Sequence, residues 1–389
     1  MQDNEKKPAL RFKGFTDPWE QRKLAEIANF SKGVGYSKND LCEEGTPIIL
    51  YGRLYTKYET SIFDVDTFVK EKAGSVYSKG GEVIVPASGE TAEDISIASV
   101  VVKPGILLGG DLNVVSPTTE YDSAFLALTI SSGAAHEYLS SLAQGKSVVH
   151  LHNTDIQSVS AKFPTKREQE KIHLLFGKID TLITLHQRKY EKLVNIKKSM
   201  LDKMFPQNGA SVPEIRFKGF TDPWEQRKIS ELAEKTYGGG TPTTSNEAFW
   251  NGNIPWIQSS DIVDGKLMGV EPRKYITQTG LNSSATQLVP KNSIAIITRV
   301  GVGKLAYMPF SYSTSQDFLS LSKLNTEPFF TVYACYKKLQ SELNTVQGTS
   351  IKGITKDELL AKTISVPVYS EQKQIGSFFA QLDTLITLH

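Results

Sequence analysis

Two glycine-lysine stretches are the nearest approach to a phosphate-binding motif in the sequence. GVGK at residues 301–304 and QGKS at residues 144–147 both resemble the end of a phosphate-binding loop. The loop requires an earlier glycine, but Thr298 and Ser140 occupy that position. The sequence therefore predicts no nucleotide-hydrolysing site of this kind.

Metal and nucleophile chemistry are likewise incomplete. His150 and His152 form an H-x-H pair without a further cluster of His, Cys or acidic residues, which favours a surface loop over a metal site. PASGE around Ser88 has Pro86 where a nucleophile elbow needs glycine. No paired carboxylates stand out for acid-base catalysis. These absences favour a binding or scaffolding protein over an enzyme.

The chain is a tandem duplication. RFKGFTDPWEQRK occurs at residues 11–23 and again at 216–228, and the stretch 144–186 aligns without a gap on 347–389. Both later copies contain QGxS, a proline, EQxxI and DTLITLH, whereas the segments between the matched ends have diverged. Two similar frames around two different inserts predict one scaffold with two specificities.

Composition indicates a soluble, cytoplasmic protein of two domains. The 389 residues are 39% hydrophobic and 22% charged, and no run of eighteen apolar residues or apolar leader is present. Cys42 and Cys335 stand at unmatched places in the two halves, so we expect reduced thiols.

A long amphipathic helix is predicted over residues 166–204. Its apolar residues recur at heptad spacing, and a helix of this length is about 55 Å long and needs a partner helix to cover its apolar face. The segment has ten Lys or Arg and five Asp or Glu, a local charge of +5 that leaves −3 for the rest of the chain. A solvated helix face is the alternative interpretation of this charge. In the second copy the pattern stops at His389, so about twenty helical residues are expected to be missing by comparison with 187–206.

Each insert is predicted to be a strand-rich mixed domain. Runs rich in β-branched residues and bounded by Gly or Pro predict strands at 47–51, 82–86, 96–102, 113–116, 254–258, 293–298, 304–308 and 318–324. Stretches 124–145 and 329–347 favour helix. In the repeated segment, Asp17 and Pro18 predict a helix start and Trp19 a buried anchor.

These features together resemble the specificity subunits of type I restriction-modification systems. The residues concerned are the repeated FTDPWEQRK, the run GGGTPTTS…FWNGNIPWIQSSDI at residues 238–262, and the P…EQxxI helix start in both copies. The resemblance covers the whole chain. It implies an α+β fold with two mixed, strand-rich target-recognition domains, separated by two long helices packed as an antiparallel coiled coil in a pseudo-twofold repeat.

The predicted organisation has six parts. They are a frame segment at 1–23, recognition domain 1 at 24–165, a central helical spacer at 166–206, the repeated frame segment at 207–228, recognition domain 2 at 229–368 and a shortened helix at 369–389.

By this resemblance, each domain recognises one half of a bipartite DNA site and the helices set the gap between the halves. Bases are recognised by donors and acceptors at loop tips. Candidates in the first domain are Tyr51, Arg53, Lys57, Ser88, Lys146, Ser147, His150, His152 and Asn153. Candidates in the second domain are Thr241, Thr243, Thr244, Ser259, Ser260, Thr298, Arg299, Ser315, Gln316, Ser350 and Lys352.

The same resemblance implies protein partners that do the chemistry. Two methyltransferase subunits would bind S-adenosylmethionine, and restriction subunits would use ATP and Mg²⁺, with no cofactor or metal on this chain. The helix residues expected to dock partners are Ile172, Phe176, Ile179, Ile183, Tyr190, Leu193, Ile375, Phe379, Leu382 and Ile386. The alternative interpretations are a duplicated scaffold that binds mainly protein, or a self-contained methyltransferase. The latter lacks an N-P-P-[FY] or D-P-P-[FY] tetrapeptide.

Overall fold

The chain divides into two units, Met1–Leu185 and His186–His389. The computed structural model describes residues 8–143, 145, 148–207, 209–345 and 353–389. Candidates Lys146, Ser147, Ser350 and Lys352 lie outside the described residues.

The first unit begins with a frame strand and ends within the long helix. Its elements in chain order are β1 Glu20–Lys23, α1 Leu24–Ile27, β2 Ala28–Lys32, β3 Leu41–Cys42, β4 Thr46–Ile49, α2 Gly52–Thr56, β5 Ser61–Ile62, β6 Phe68–Val69, β7 Glu82–Pro86, β8 Ser88–Gly89, α3 Ala92–Ile95, β9 Ser99–Val101, β10 Leu107–Leu108, β11 Leu112–Pro117, α4 Ser123–Ile130, α5 Gly133–Leu142, β12 Val149–His150, α6 Asn153–Ser158, β13 Ser160–Phe163 and α7 Lys166–Lys203.

The second unit repeats this plan. Its further elements are β14 Glu225–Lys228, β15 Ala233–Gly238, β16 Trp250–Ile257, β17 Lys274–Ile276, α8 Gln278–Asn282, β18 Ser293–Ile297, β19 Leu305–Met308, β20 Ser313–Thr314, β21 Phe318–Leu324, α9 Pro328–Thr345, α10 Lys356–Ala361, β22 Thr363–Val366 and α11 Tyr369–Thr387. Short 3-10 turns lie at Lys38–Asp40, Ile229–Glu231, Glu247–Phe249 and Ser259–Asp261.

The two units share a core sheet topology, to which the first unit adds the edge strands β5 and β3. The first has sheets of order β2-β11-β7-β9-β5 and β10-β4-β6-β3, and the second has β15-β21-β18-β19 and β17-β16-β20. A parallel pair occurs at the same place in both, β10 with β4 and β20 with β16. A two-stranded frame sheet, β1 with β13 or β14 with β22, completes each unit. The duplication thus extends to inserts whose sequences have diverged.

Buried strands and helices form the core of each unit. In the first, central strand β7 is fully buried and packs with α4, since its apolar side chains face the core on both sides of the sheet. In the second, β18 and β21 pack against α9 and α11. The central strands of each unit are therefore held in place by packing on both faces of the sheet.

Within the second unit, the last part of α7 runs antiparallel to α11. His186 Nδ1 lies 2.9 Å from His389 Nδ1, and Lys197 Nζ lies 2.5 Å from Asp383 Oδ1. Just past the end of α7, the Phe205 ring lies 5.9 Å from that of Phe379. The two helices are therefore antiparallel, which is the orientation that the family resemblance implied, whereas the heptad pattern predicted only a partner helix.

Most predicted elements are confirmed. Strands β7 and β21 have the predicted bounds, and the other six predicted strands match within a few residues. The predicted helix at 124–145 is broken, because Gly133 at φ 58° separates α4 from α5.

The helix start predicted at Asp17 and Pro18 is wrong. Residues 20–23 form β1, and Glu20 pairs with Phe163 in the strand that leads into α7. Pairing with β13 takes up the backbone groups that a helix would have used. Trp19 does anchor the segment, since its ring packs edge-on against Phe125 at 6.0 Å.

Candidate nucleic-acid interface

Several strand ends meet at one edge of the second unit. Gly238 at the end of β15 pairs with Leu319, and Ile297 at the end of β18 pairs with Phe318 at the start of β21. The parallel strands β16 and β20 end beside one another. The loops after all these strands therefore converge on a single surface, called here the second recognition edge.

Backbone hydrogen bonds fix these loops in place. Gly240 N donates to Thr314 O at 2.9 Å, and Thr298 N donates to Asp317 O at 2.7 Å. Thr298 O in turn accepts from Ile354 N at 2.7 Å. A fixed backbone is what base recognition requires, because side chains must be presented in a defined orientation.

Gly239 allows the closest approach at this edge. A Cβ there would lie 1.8 Å from Ser315 O and 2.4 Å from Thr314 Oγ1, whereas a Cβ on Gly238 would meet nothing within 4 Å. Of these two glycines, only Gly239 is required by close approach. The sequence shows a run of three glycines but does not distinguish their roles.

Seven of the described second-domain candidates closely follow a strand that ends at this edge. They are Thr241, Ser259, Ser260, Thr298, Arg299, Ser315 and Gln316. Thr243 and Thr244 lie further along the loop after β15, where Thr243 O accepts from Trp250 Nε1 at 3.2 Å. Thr298 and Ser315 are buried and bond to Asp317, so they fix the loop. Thr241 Oγ1 donates to Gln316 Oε1 at 2.6 Å, and both residues are exposed together with Arg299.

The first unit has an equivalent edge, called the first recognition edge. A Cβ on Gly33 would lie 1.9 Å from Gly109 O, matching Gly239. Val34 N donates to Leu108 O at 3.0 Å, and Ala87 N donates to Asp111 O at 2.8 Å. The two edges therefore share a backbone plan and differ in side chains.

Ser88 and His150 meet at the first edge. Ser88 Oγ lies 3.2 Å from His150 Nδ1, across the β8 and β12 pair. Ser88 is buried and its carbonyl accepts from Tyr55 Oη at 2.8 Å, whereas His150 is exposed. His150 is thus the one of this pair that is available to a ligand.

His152 and Asn153 lie at the start of α6. His152 is the residue before the helix, and its backbone N donates to Asp155 Oδ2 at 2.7 Å. Asn153 Nδ2 donates to Ser31 O at 2.8 Å, which ties the helix start to β2. His152 remains exposed, and Asn153 is partly buried.

Arg53 is a loop-positioning residue instead of a base contact. It is 8% exposed, and its guanidinium donates to Asp66 at 2.6 Å, to Glu59 at 2.8 Å and to the Asp64 carbonyl at 3.2 Å. Lys57 Nζ also lies 2.9 Å from Asp66, and the bonds from Lys57 and Arg53 lower the pKa of that carboxyl to about 2. Tyr51, the residue before α2, is half-buried with its ring 6.2 Å from that of Tyr55.

Sequence reasoning missed two ion pairs that hold the frame. Arg11 donates two hydrogen bonds to the Glu168 carboxylate, both at 2.7 Å, and Arg216 donates two to the Glu371 carboxylate, at 2.7 and 2.8 Å. Both glutamate side chains are 0% exposed. The signal was present, since each pair joins the repeated RFKGF segment to a repeated EQxxI element.

The glutamine of each EQ element fastens the start of its helix. Gln169 accepts from Asp122 N at 2.9 Å and donates to Pro164 O at 2.8 Å. Gln372 makes the same two bonds, to Glu327 N at 2.9 Å and Pro367 O at 2.8 Å. The EQxxI element therefore has a structural role, in which it holds the start of its helix, and it is not part of either recognition edge.

The residues predicted to dock partners fall into three groups: buried, partly covered and exposed. Ile375, Phe379 and Leu382 are buried in the second core, and Ile172, Leu193 and Ile386 are partly covered. The first three therefore stabilise this chain, because α9 and α7 already cover them. The exposed members are Phe176, Ile179, Ile183 and Tyr190, joined by Leu174, Leu175, Leu182 and Leu185.

Over the part of the chain that the structure describes, no group of three or more His, Cys, Asp or Glu side chains could hold a metal ion. Within the same residues, no helix is long and apolar enough to cross a membrane.

Comparison with known proteins agrees with the repeat. A family model described as the type I restriction modification DNA specificity domain matches twice, over residues 16–195 and 221–389. The chain belongs to this family. Each specificity-domain match begins within or near a repeated RFKGF segment, so the family repeat and the internal duplication coincide.

Curated relatives share part of the chain. The EcoR124I/EcoR124II specificity subunit of Escherichia coli is 30% identical over 169 residues, 41% of this chain and 41% of that protein. The MjaIX specificity subunit of Methanocaldococcus jannaschii is 28% identical over 170 residues, 42% of this chain and 38% of that protein. The aligned part thus spans about two fifths of these relatives' length.

Solved structures share the specificity-domain fold over nearly the whole chain. The type I restriction-modification S subunit from M. genitalium has a TM-score of 0.63 at 13% identity, with 97% of this chain and 92% of that chain covered. A structure from work on complex assembly and conformational transition of the type I R-M system has a TM-score of 0.53 at 17% identity, covering 96% and 92%.

Proposed function

We propose that this chain is the DNA-recognition subunit of a type I restriction-modification complex. Each recognition edge contacts one half of a bipartite duplex site, and the complex methylates adenine or cleaves DNA with ATP. The observation that supports this most is the pair of edges: one backbone plan, held by equivalent hydrogen bonds, presents different side chains in each unit.

The chemistry of the edges suits base recognition. Hydroxyl, amide, imidazole and guanidinium groups are exposed there, and such groups hydrogen-bond to base edges in the major groove. The basic excess lies elsewhere, in residues 166–204, where it can neutralise phosphates without selecting a sequence. The length of α7 sets the spacer between the half-sites in this proposal.

The partners supply the catalysis. Methyltransferase subunits with bound S-adenosylmethionine dock on the exposed apolar face of α7, which comprises Leu174, Leu175, Phe176, Ile179, Leu182, Ile183 and Leu185. An exposed apolar stripe of this size on a charged helix is typical of a protein interface. Restriction subunits, with ATP and Mg²⁺, join that core, and this chain itself is not catalytic.

Methylation mapping tests the proposal. The chain is expressed with its methyltransferase subunits in a host without other adenine methylation, and modified adenines are located by sequencing. We expect one bipartite motif with a fixed spacer, absent when this chain is omitted. Methylation that is unchanged without the chain, or DNA binding of the complex without sequence preference, would favour the protein-binding scaffold.

A further inference from the structure

The second recognition edge contains a row of three polar side chains that the first edge lacks. The ladder between β18 and β21 ends at Ile297 and Phe318, and Thr298 N continues it by donating to Asp317 O at 2.7 Å. Continuing this register by one residue places Arg299, in the bend after β18, opposite Gln316, in the turn before β21, and side chains at such opposed positions are about 5 Å apart.

Thr241 completes the row on the other side. Its hydroxyl donates to Gln316 Oε1 at 2.6 Å, which fixes the amide and leaves its Nε2 free to donate outward. Arg299 is exposed and has no ion-pair or hydrogen-bond partner among the described residues. With strands about 4.8 Å apart, the row spans about 10 Å, or about three base pairs.

The equivalent positions in the first unit cannot form this row. The β7 and β11 ladder ends at Pro86 and Leu112, and continuing it places Ser88 beside Gly110. Gly110 N donates to Gly35 O at 2.6 Å, so the position equivalent to Thr241 is also a glycine, Gly35. Ser88 is the only one of these three residues that is not glycine, and its side chain is buried.

We propose that Thr241, Gln316 and Arg299 determine the specificity of the second half-site, with Arg299 recognising guanine and Gln316 recognising adenine within about two base pairs of it. A guanidinium group donates to both O6 and N7 of guanine. A glutamine amide accepts from adenine N6 and donates to adenine N7. Thr241 acts as a positioning residue for Gln316. This inference rests on the proposed function and adds which residues and bases define one half of the site.

The test combines methylation mapping with duplex binding by the complex of this chain and its methyltransferase subunits. Arg299→Ala and Gln316→Ala should each relax the motif at one purine of one half, with about tenfold weaker binding to the original duplex. Arg299→Lys should weaken guanine selectivity without abolishing it, because an ammonium group can donate to guanine O6 and N7 but lacks the planar, fixed pair of donors of the guanidinium. Gln316→Glu should move preference from adenine to cytosine, because a carboxylate accepts from cytosine N4.

Lys291→Ala is the matched control, since Lys291 is exposed at the opposite end of β18 and its loss removes the same charge. It should leave the motif unchanged. An Arg299→Ala variant that binds more weakly but keeps the full sequence preference would overturn the guanine assignment and indicate a phosphate contact. Relaxation of both halves, or of neither, would overturn the inference while the wild-type bipartite motif still supported the proposed function. Absence of that motif in the wild type would reject both.

Discussion

Arg216 and Glu371 form a forked ion pair whose carboxylate is fully buried. Glu371→Ala leaves the guanidinium without its partner, so we expect the free energy of unfolding to fall by about 2 kcal/mol. Arg227→Ala is the control, because its pair with Glu225 is exposed and should contribute less than about 1 kcal/mol. Chemical denaturation measures both. Equal effects would mean that the forked pair does not hold the frame segment.

Asp66 gives a pH prediction in the first unit. Its pKa is lowered from 3.8 to about 2 by the bonds from Lys57 and Arg53, so its stabilising contribution is present above pH 4 and is lost as the pH falls towards 2. Asp66→Asn should therefore lower Tm at pH 6, and the difference from wild type should shrink between pH 4 and pH 2. A difference that is constant over this range would contradict the assigned pairing.

At the scale of elements, Gly239 allows the backbone after β15 to pass close to the Ser315 carbonyl after β20. Gly239→Ala places a methyl group against the Ser315 carbonyl, so we expect a loss of about 1 to 3 kcal/mol and a displaced loop. Gly238→Ala adds the same methyl group in open space within a strand and should leave stability unchanged or raise it by up to about 1 kcal/mol. Thermal unfolding distinguishes them, and identical Tm values would refute the close approach.

The long helices predict a contrast between matched phenylalanines. Phe379 is 0% exposed and Phe176, at the equivalent repeat position, is 45% exposed. Phe379→Ala should cost about 3 to 5 kcal/mol because it empties a core site. Phe176→Ala should change stability by under about 1 kcal/mol and instead weaken co-purification of the methyltransferase subunits. Undiminished co-purification would place the docking surface elsewhere.

Elements with a strong pattern were predictable and those fixed by distant partners were not. The apolar runs of β7 and β21 and the heptads of α7 indicate their secondary structure from the local sequence alone. Residues 20–23 are polar and became a strand only because β13 lies beside them. The burial and ion pairs of Arg53 were not predictable either, because its partners Glu59 and Asp66 lie in loops without a sequence pattern and only the fold brings them to it.

For the whole molecule, the central claim is that two edges of one design contact two different half-sites. Sequence duplication implied this division, but the candidate loops could be assembled into two edges only once the shared sheet order was known. Gly33 and Gly239 occupy equivalent positions at the first and second edge. A methyl group at either one disturbs a single edge.

Methylation mapping of Gly33→Ala and Gly239→Ala, each expressed with the methyltransferase subunits, tests this claim most directly. The account predicts that each variant degrades one half of the bipartite motif, a different half in each case, and leaves the other half intact. Loss of the same half in both variants, or equal loss of both halves in each, would contradict it.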